Sequence, residues 1–274
     1  MTAPRDAGGA GFDASWNDGL REALRGVVAQ AAGGAAADLD LAGLARELTN
    51  PGYRDGWRAI NYVESHDEVY RDREPRLARL ADPANPRSWY ARSRSRVATA
   101  LLLAAPGIPM LFMGQEILED KAWADDPAHH PETLIWWDGL SQGDKAMVDQ
   151  HRLTRELIGL RRQLPALRRG ATRVYHLDPV NRVLAMHRWL EGQGQDVVIV
   201  ASLAEATHGA YRLGLPQPGQ WREAMNTDVY DNWINPLAAG NGGSRQAQPH
   251  ALHGFGWSAE LVLPANAVVI LARS

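Results

Sequence analysis

Apolar positions fall into two regimes along the chain. Between Asp18 and Ala32 the residues Leu20, Leu24, Val27, Val28 and Ala31 share one face at helical spacing, and Gly33-Gly34 supply a stop. The same spacing over Leu41, Leu44 and Leu48 predicts a second short helix closed by Asn50-Pro51. Ala59 to Val63 then reads as a short buried strand that ends at Glu64-Ser65-His66-Asp67. Asn85-Pro86 offers a cap and a first-turn proline for a helix reaching Ala105, where Pro106-Gly107 breaks it before a strand over Ile108 to Met113. Asp144 to Arg169 carries Leu153, Leu157, Leu160 and Leu164 at helical intervals, with Pro165 near the end. Helices thus alternate with strands that are apolar throughout, which predicts parallel strands covered on both faces, as in a βα barrel.

Past Gly170 the pattern changes. Arg182 to Trp189, Asp196 to Ser202, Tyr211 to Leu215, Trp221 to Asn226 and Leu261 to Ala272 are short β-prone runs separated by Gly, Pro and Asn turns. They predict an antiparallel β domain, with the Gly-, Ala-, Ser- and Gln-rich stretch from Leu237 to Ala251 left as a mobile loop. The expected division is an α/β domain over residues 1–170 and an all-β domain over residues 171–274.

Composition narrows the chemistry. The chain has 274 residues, enough for one large or two medium domains, and a net charge of -3 that gives no electrostatic footprint for nucleic acid. The one arginine-dense stretch, Arg87 to Arg96, is expected to be the solvated face of a helix. With no cysteine, disulfides, thiolate metal sites and cysteine nucleophiles are excluded. No apolar run approaches the roughly 18 residues of a membrane span, so a soluble, cytoplasmic protein without membrane partners is expected. Ten tryptophans against three phenylalanines favour a flat apolar face with a donor, a combination that suits carbohydrate clefts.

The strand-end segment NYVESHDE, Asn61 to Glu68, resembles the fourth conserved region of glycoside hydrolase family 13, the α-amylase superfamily. Farther along, APGIPMLFMGQEI, Ala105 to Ile117, resembles the eighth barrel strand of its branching enzymes. GFDASWNDGL, Gly11 to Leu20, looks like the sixth strand and its turn, LRRQLPALRRG, Leu160 to Gly170, is similar to the end of the last barrel helix, and the β segment looks like the β-sandwich that follows the barrel. The resemblance covers residues 11 to 274 and is greatest to α-1,4-glucan branching enzymes. It implies a partial (βα)8 TIM barrel, about strands six to eight, followed by a C-terminal antiparallel β-sandwich. It also implies retaining glycosyl transfer on an α-glucan, of the glycogen or starch type.

On this resemblance Asp67 is the carboxylate that binds sugar hydroxyls and stabilises the transition state, and His66 is the neighbouring donor to the sugar. Glu116 is placed at the cleft or its supporting shell. Trp123, Trp136 and Trp137 are similar to tryptophans of the long eighth loop, and one of them, with Trp123 preferred, is expected to be a stacking platform. Trp16, Asn17, Tyr62 and Glu64 fit sugar contact and core packing about equally.

The family's nucleophile and general acid have no matching motif. Asp13 in GFDASW lacks the preceding arginine and lies too near His66 for an intervening acid strand. A whole barrel takes about 250 residues, so the chain is expected to lack the first barrel strands. It is accordingly expected to be inactive alone and to be either a truncated product or the partner of a separately encoded N-terminal barrel half. Hydrolysis of α-1,4 bonds or of a malto-oligosyl trehalose, and a noncatalytic α-glucan-binding module, are the alternatives. No metal or other cofactor is expected: Asp13, Ser15 and Asn17 begin a calcium-loop pattern but have Leu24 where it needs glutamate, and His129-His130 has no third ligand at metal spacing.

Overall fold

The computed structural model of the chain describes residues 1–273. Its first part runs β1 (Ser15–Trp16), α1 (Asp18–Ala31), α2 (Leu41–Glu47), β2 (Ala59–Asn61), α3 (Leu77–Ala81), α4 (Trp89–Ala104), β3 (Ile108–Pro109), α5 (Trp137–Ser141), α6 (Lys145–Gln163) and α7 (Pro165–Arg169). The three strands form one parallel sheet in the order β1-β2-β3, with Ser15 opposite Ala59 and Ile60 opposite Ile108. Parallel neighbours need long crossovers, and the helices between the strands supply them. A buried amide chain fastens the sheet: Asn17 donates to the side-chain oxygens of Asn50 and Asn61 at 2.9 Å each, and Asn50 and Asn61 both donate to the Pro106 carbonyl. Asn17 also caps α1, accepting from the Leu20 amide.

The second part is all β: β4 (Ala171–Asp178), β5 (Val183–Leu190), β6 (Gln195–Ser202), β7 (His208–Leu215), β8 (Gly219–Asn226), β9 (Ser244–Ala247), β10 (Trp257–Leu263) and β11 (Ala267–Arg273). Six strands make an antiparallel sheet in the order β4-β5-β6-β11-β8-β9, and β7 pairs with β10 in a second sheet. Alternate residues of the large sheet enter two different cores. Leu184, Met186, Val197, Ile199, Val268 and Ile270 join the helices in one cluster with Leu20, Leu101 and Leu153. Val183, Ala185, Val198, Val200, Val269 and Leu271 meet Leu213 and Leu261 of the small sheet. Coverage on both faces is why these antiparallel strands read as continuous apolar runs rather than alternating ones.

Several expected boundaries move for identifiable reasons. The helix expected from Asn85-Pro86 starts at Trp89, because Ser88 provides the cap to the Ala91 amide while Asn85 is spent on the Arg87 amide. The helix expected to continue through Arg169 breaks at Leu164, which turns extended ahead of Pro165, and α7 restarts with that proline in its first turn. The final expected strand is two, β10 and β11, turned at Asn266 in a left-handed conformation. The stretch expected as a mobile loop holds β9 and is tied down by Asn241, which bonds the Glu223 carboxylate and both backbone groups of Val262.

The arginine-dense stretch is not a solvated face. Arg94 and Arg96 are buried in α4, where Arg94 meets Glu205 at 2.8 Å and Arg96 meets Asp231 at 3.1 Å; Arg92 adds a 2.9 Å contact to Asp231. These charges face inward because α4 lies between the parallel sheet and the β domain, and both acidic partners come from the latter. β4, an edge strand with mixed burial, was not among the expected strands.

Candidate functional site

The chain leaves β2 through a tightly bonded turn. Glu64 and Arg76, each 1% exposed, approach at 2.9 Å as an ion pair off the hydrogen-bond axis, and Glu64 also accepts from the Leu77 amide. Tyr62, buried, donates to Asp18 at 2.6 Å; burial and that hydrogen bond push its phenol up. Ser65 donates to Glu68 and accepts from the Asp67 amide. Of the residues that sequence left between sugar contact and packing, Asn17, Tyr62 and Glu64 are therefore engaged in internal bonds. These bonds leave the next two side chains, His66 and Asp67, pointing outward at 54% and 64% exposure, with His66 Nε2 3.6 Å from Asp67 Oδ1.

The loop after β3 supplies the opposite wall. Trp123 forms a parallel bridge with Tyr70: its amide donates to the Val69 carbonyl at 2.9 Å and its carbonyl accepts from the Arg71 amide at 2.8 Å. This zipper sets the Trp123 ring edge-on to His66 at 5.9 Å and to Phe112 at 6.0 Å, while Trp16 approaches His66 from the other side at 6.4 Å. The Arg76 guanidinium stacks over Phe112 at 5.2 Å and donates to the Met113 carbonyl, so the buried ion pair also supports this wall.

His66, Asp67, Tyr70, Arg73, Trp123 and Asp125 enclose an open pocket of about 230 Å³. Arg73 donates to the Asp67 carbonyl at 3.0 Å, and the Tyr70 hydroxyl donates to Asp125 at 3.0 Å. Tyr70, Arg73 and Asp125 carry no sequence signal, since they lie in polar runs without periodicity and are brought together only by the fold, through the Tyr70–Trp123 bridge and the Tyr70–Asp125 hydrogen bond. Glu74, beneath this loop, receives Arg21 at 2.6 Å and Arg25 at 2.9 Å; burial pushes its carboxyl up, but those two cations outweigh it and hold it below the usual range.

The structure brings together three of the four sequence-predicted residues. Asp67, His66 and Trp123 share the pocket at the C-terminal ends of the parallel strands. Glu116 does not: it lines an apolar groove with Leu111, Met113, His151 and Ile158, against α6. Trp136 and Trp137 are about half exposed and are not in the pocket wall. Chemically the pocket combines an aromatic edge, an imidazole, a carboxylate and a guanidinium, a set suited to the hydroxyls and apolar faces of a sugar ring. Among the described residues no cluster of three or more metal-binding side chains occurs.

Residues 175–274 match the family described as the alpha amylase C-terminal all-beta domain. The whole chain is similar to 1,4-alpha-glucan branching enzymes: 32% identity to that of Burkholderia vietnamiensis, covering 99% of this chain and 35% of the relative, and 32% to one from Xanthomonas campestris pv. campestris, with the same coverage. The chain thus spans about a third of the length of these relatives. Among solved structures, the α-amylase of Geobacillus thermoleovorans in complex with acarbose superposes with a TM-score of 0.67 at 20% identity, over 99% of this chain and 51% of that one. A pullulanase of Anoxybacillus in complex with maltotetraose gives 0.65 at 19% identity, over 95% and 35%.

Proposed function

Because the chain belongs to the α-amylase superfamily, glycoside hydrolase family 13, and is homologous to the C-terminal region of its branching enzymes, we propose that it forms the last three strands of a (βα)8 barrel. In this reading residues 1–170 are the barrel portion and residues 171–274 the β domain, and the chain contributes one side of an α-glucan-transferring cleft. The observation that carries the reading is the joint exposure of His66 and Asp67 at the C-terminal end of β2, beside Trp123. Residues at that end of barrel strands are the ones that face a reacting ligand.

In the retaining route one carboxylate attacks the anomeric carbon, a second carboxyl protonates the leaving oxygen, and a sugar hydroxyl resolves the glycosyl intermediate. Asp67 holds hydroxyls of the ring as positive charge develops, His66 donates to the same sugar, and Trp123 offers an apolar surface. Glu116 takes a supporting place along α6, away from the pocket. The nucleophile and acid are assigned to barrel strands outside this chain. Two facts support that assignment: β1 and β3 each pair on one side only, and the large apolar residues Trp16, Ile108 and Met113 lie exposed near those edges. Exposure of Asp67 itself agrees, since a carboxylate in open water interacts weakly and gains strength only when the cleft is covered.

The test is to assay amylose for loss of iodine colour and release of reducing ends, with the chain alone and after adding the N-terminal half of a related branching enzyme. Branching activity is expected only on complementation, and Asp67→Asn is expected to lower it by about a hundredfold or more. Activity of the chain alone would overturn the reading. Glucan binding indifferent to Asp67→Asn, with no activity on complementation, would make it a noncatalytic binding module, and loss of iodine colour accompanied by net release of reducing ends, which transfer to a sugar hydroxyl does not give, would make it a hydrolase.

A further inference from the structure

At the opposite ends of the parallel strands lies a second pocket, of about 440 Å³, set in the seam between the helices and the β domain. Gly56 and Trp57 precede β2, Pro106 and Gly107 precede β3, and Gly170 to Thr172 lead into β4, so this pocket and the His66–Asp67 pocket do not share a wall. Its charge is one-sided. Arg168, Arg169 and Arg188 line it, and among the described residues no Asp or Glu does.

Arg188 is the notable member. It is fully buried, donates to the carbonyls of Ala104 and Gly170, and its Nε has no hydrogen-bond partner among the described residues. Beside it Arg161, also buried, donates to the Leu103, Ala105 and Gly107 carbonyls. Burial first, and a neighbouring guanidinium second, pull Arg188 down to about 9 and Arg161 to about 10: Arg161 acts on Arg188, and Arg168 on Arg161. Most other buried arginines of this chain meet carboxylates, as Arg76 does at Glu64 and Arg96 at Asp231, while Arg182 stands alone on the Gly34 and Ala37 carbonyls. Here buried cations stand together without one, an arrangement that costs desolvation and mutual repulsion unless an anion offsets both.

We propose that this pocket binds a phosphate-class anion, with Arg168 and Arg169 reaching it from the rim and Arg188 supplying the charge at its base. Guanidinium groups pair with phosphate oxygens in bidentate fashion, and Thr172 in the lining adds a hydroxyl donor, whereas the Thr49 hydroxyl is already donated to the Arg46 carbonyl. Trp57, 53% exposed, places an indole at the mouth, so the anion is free phosphate or a phosphomonoester carried on a sugar ring. The assignment is independent of the glucan-transfer reading, because it uses none of the residues of that cleft.

Titration calorimetry on the full chain decides the matter, with inorganic phosphate, glucose 6-phosphate and maltose as probes at low ionic strength. Saturable binding of the phosphate-bearing probes is expected, weakened at least about tenfold in the Arg168→Ala/Arg169→Ala variant and by added salt. Both arginines are solvent-exposed, and an unchanged near-ultraviolet circular dichroism spectrum separates lost binding from lost folding. Glucose 6-phosphate binding that Trp57→Ala weakens, with phosphate binding unaffected, identifies the sugar ester; equal affinity for both probes, indifferent to Trp57→Ala, identifies free phosphate. No saturable binding of either, full retention in the double-arginine variant, or maltose binding as tightly as glucose 6-phosphate would overturn the proposal.

Discussion

The carboxylate of Asp231 lies 3.1 Å from the guanidinium of Arg96, 135 residues earlier in the chain, and fastens α4 to the β domain at a place that water scarcely reaches. Burial alone would raise the Asp231 carboxyl, but Arg92 and Arg96 outweigh it and hold it below its usual value. Burial also lowers Arg96, yet a guanidinium this close to a carboxylate stays charged, so Asp231 is the group that titrates. A depressed folded value means that the contribution is complete above the unfolded value of about 4 and is lost as pH falls through the folded one. Asp231→Ala is expected to cost about 3–5 kcal/mol at pH 7, by leaving Arg96 buried and unpaired. Urea unfolding at pH 7 and at pH 3 should show the difference between wild type and variant shrinking at the lower pH.

Gly107 is expected to tolerate no side chain. Its φ is +109°, and an added Cβ would sit 2.6 Å from the Ala59 carbonyl and 2.9 Å from the Asn61 amide, inside the bonds that join the three parallel strands. Gly107→Ala should cost about 2 kcal/mol or more, measured as a lower urea midpoint, whereas Gly159→Ala, with open space around it on α6, should be neutral or stabilising.

What the sequence conveyed was whatever depends on local pattern. The apolar spacing of Leu20, Leu24 and Val27 gave α1, and the apolar runs at Val197 to Ala201 and Val268 to Leu271 gave central strands, because both faces of those strands are covered. Pairings across long separations were not legible. Arg94 and Arg96 read as solvated until Glu205 and Asp231 arrive from another domain, and Trp123 becomes a neighbour of His66 only through its bridge to Tyr70. His66 and Asp67 were marked by a motif and a strand end; Arg73 and Asp125, which complete the same pocket, have neither.

If Trp123 is the apolar wall for sugar, Trp123→Ala should weaken malto-oligosaccharide binding by roughly fivefold to thirtyfold, an aromatic contact of about 1–2 kcal/mol. Trp137→Ala, on a side chain outside the pocket, should leave it unchanged. Affinity electrophoresis in amylopectin-containing gels compares the two variants directly, and equal retardation would remove Trp123 from the wall.

The Glu64–Arg76 pair separates stability from positioning. Glu64→Ala strands a fully buried guanidinium and should cost about 3–5 kcal/mol, while Glu64→Leu with Arg76→Met replaces the pair by apolar groups of similar size and should recover most of that loss. Binding should not recover with it, because Arg76 also stacks on Phe112 and holds the Met113 carbonyl, and Phe112 in turn abuts Trp123. The double variant is therefore expected to unfold near the wild-type urea midpoint and still bind malto-oligosaccharides several-fold more weakly. A double variant that recovers both would show that the pair serves only to pack the strand end; one that recovers neither would show that the charge itself is required for the fold.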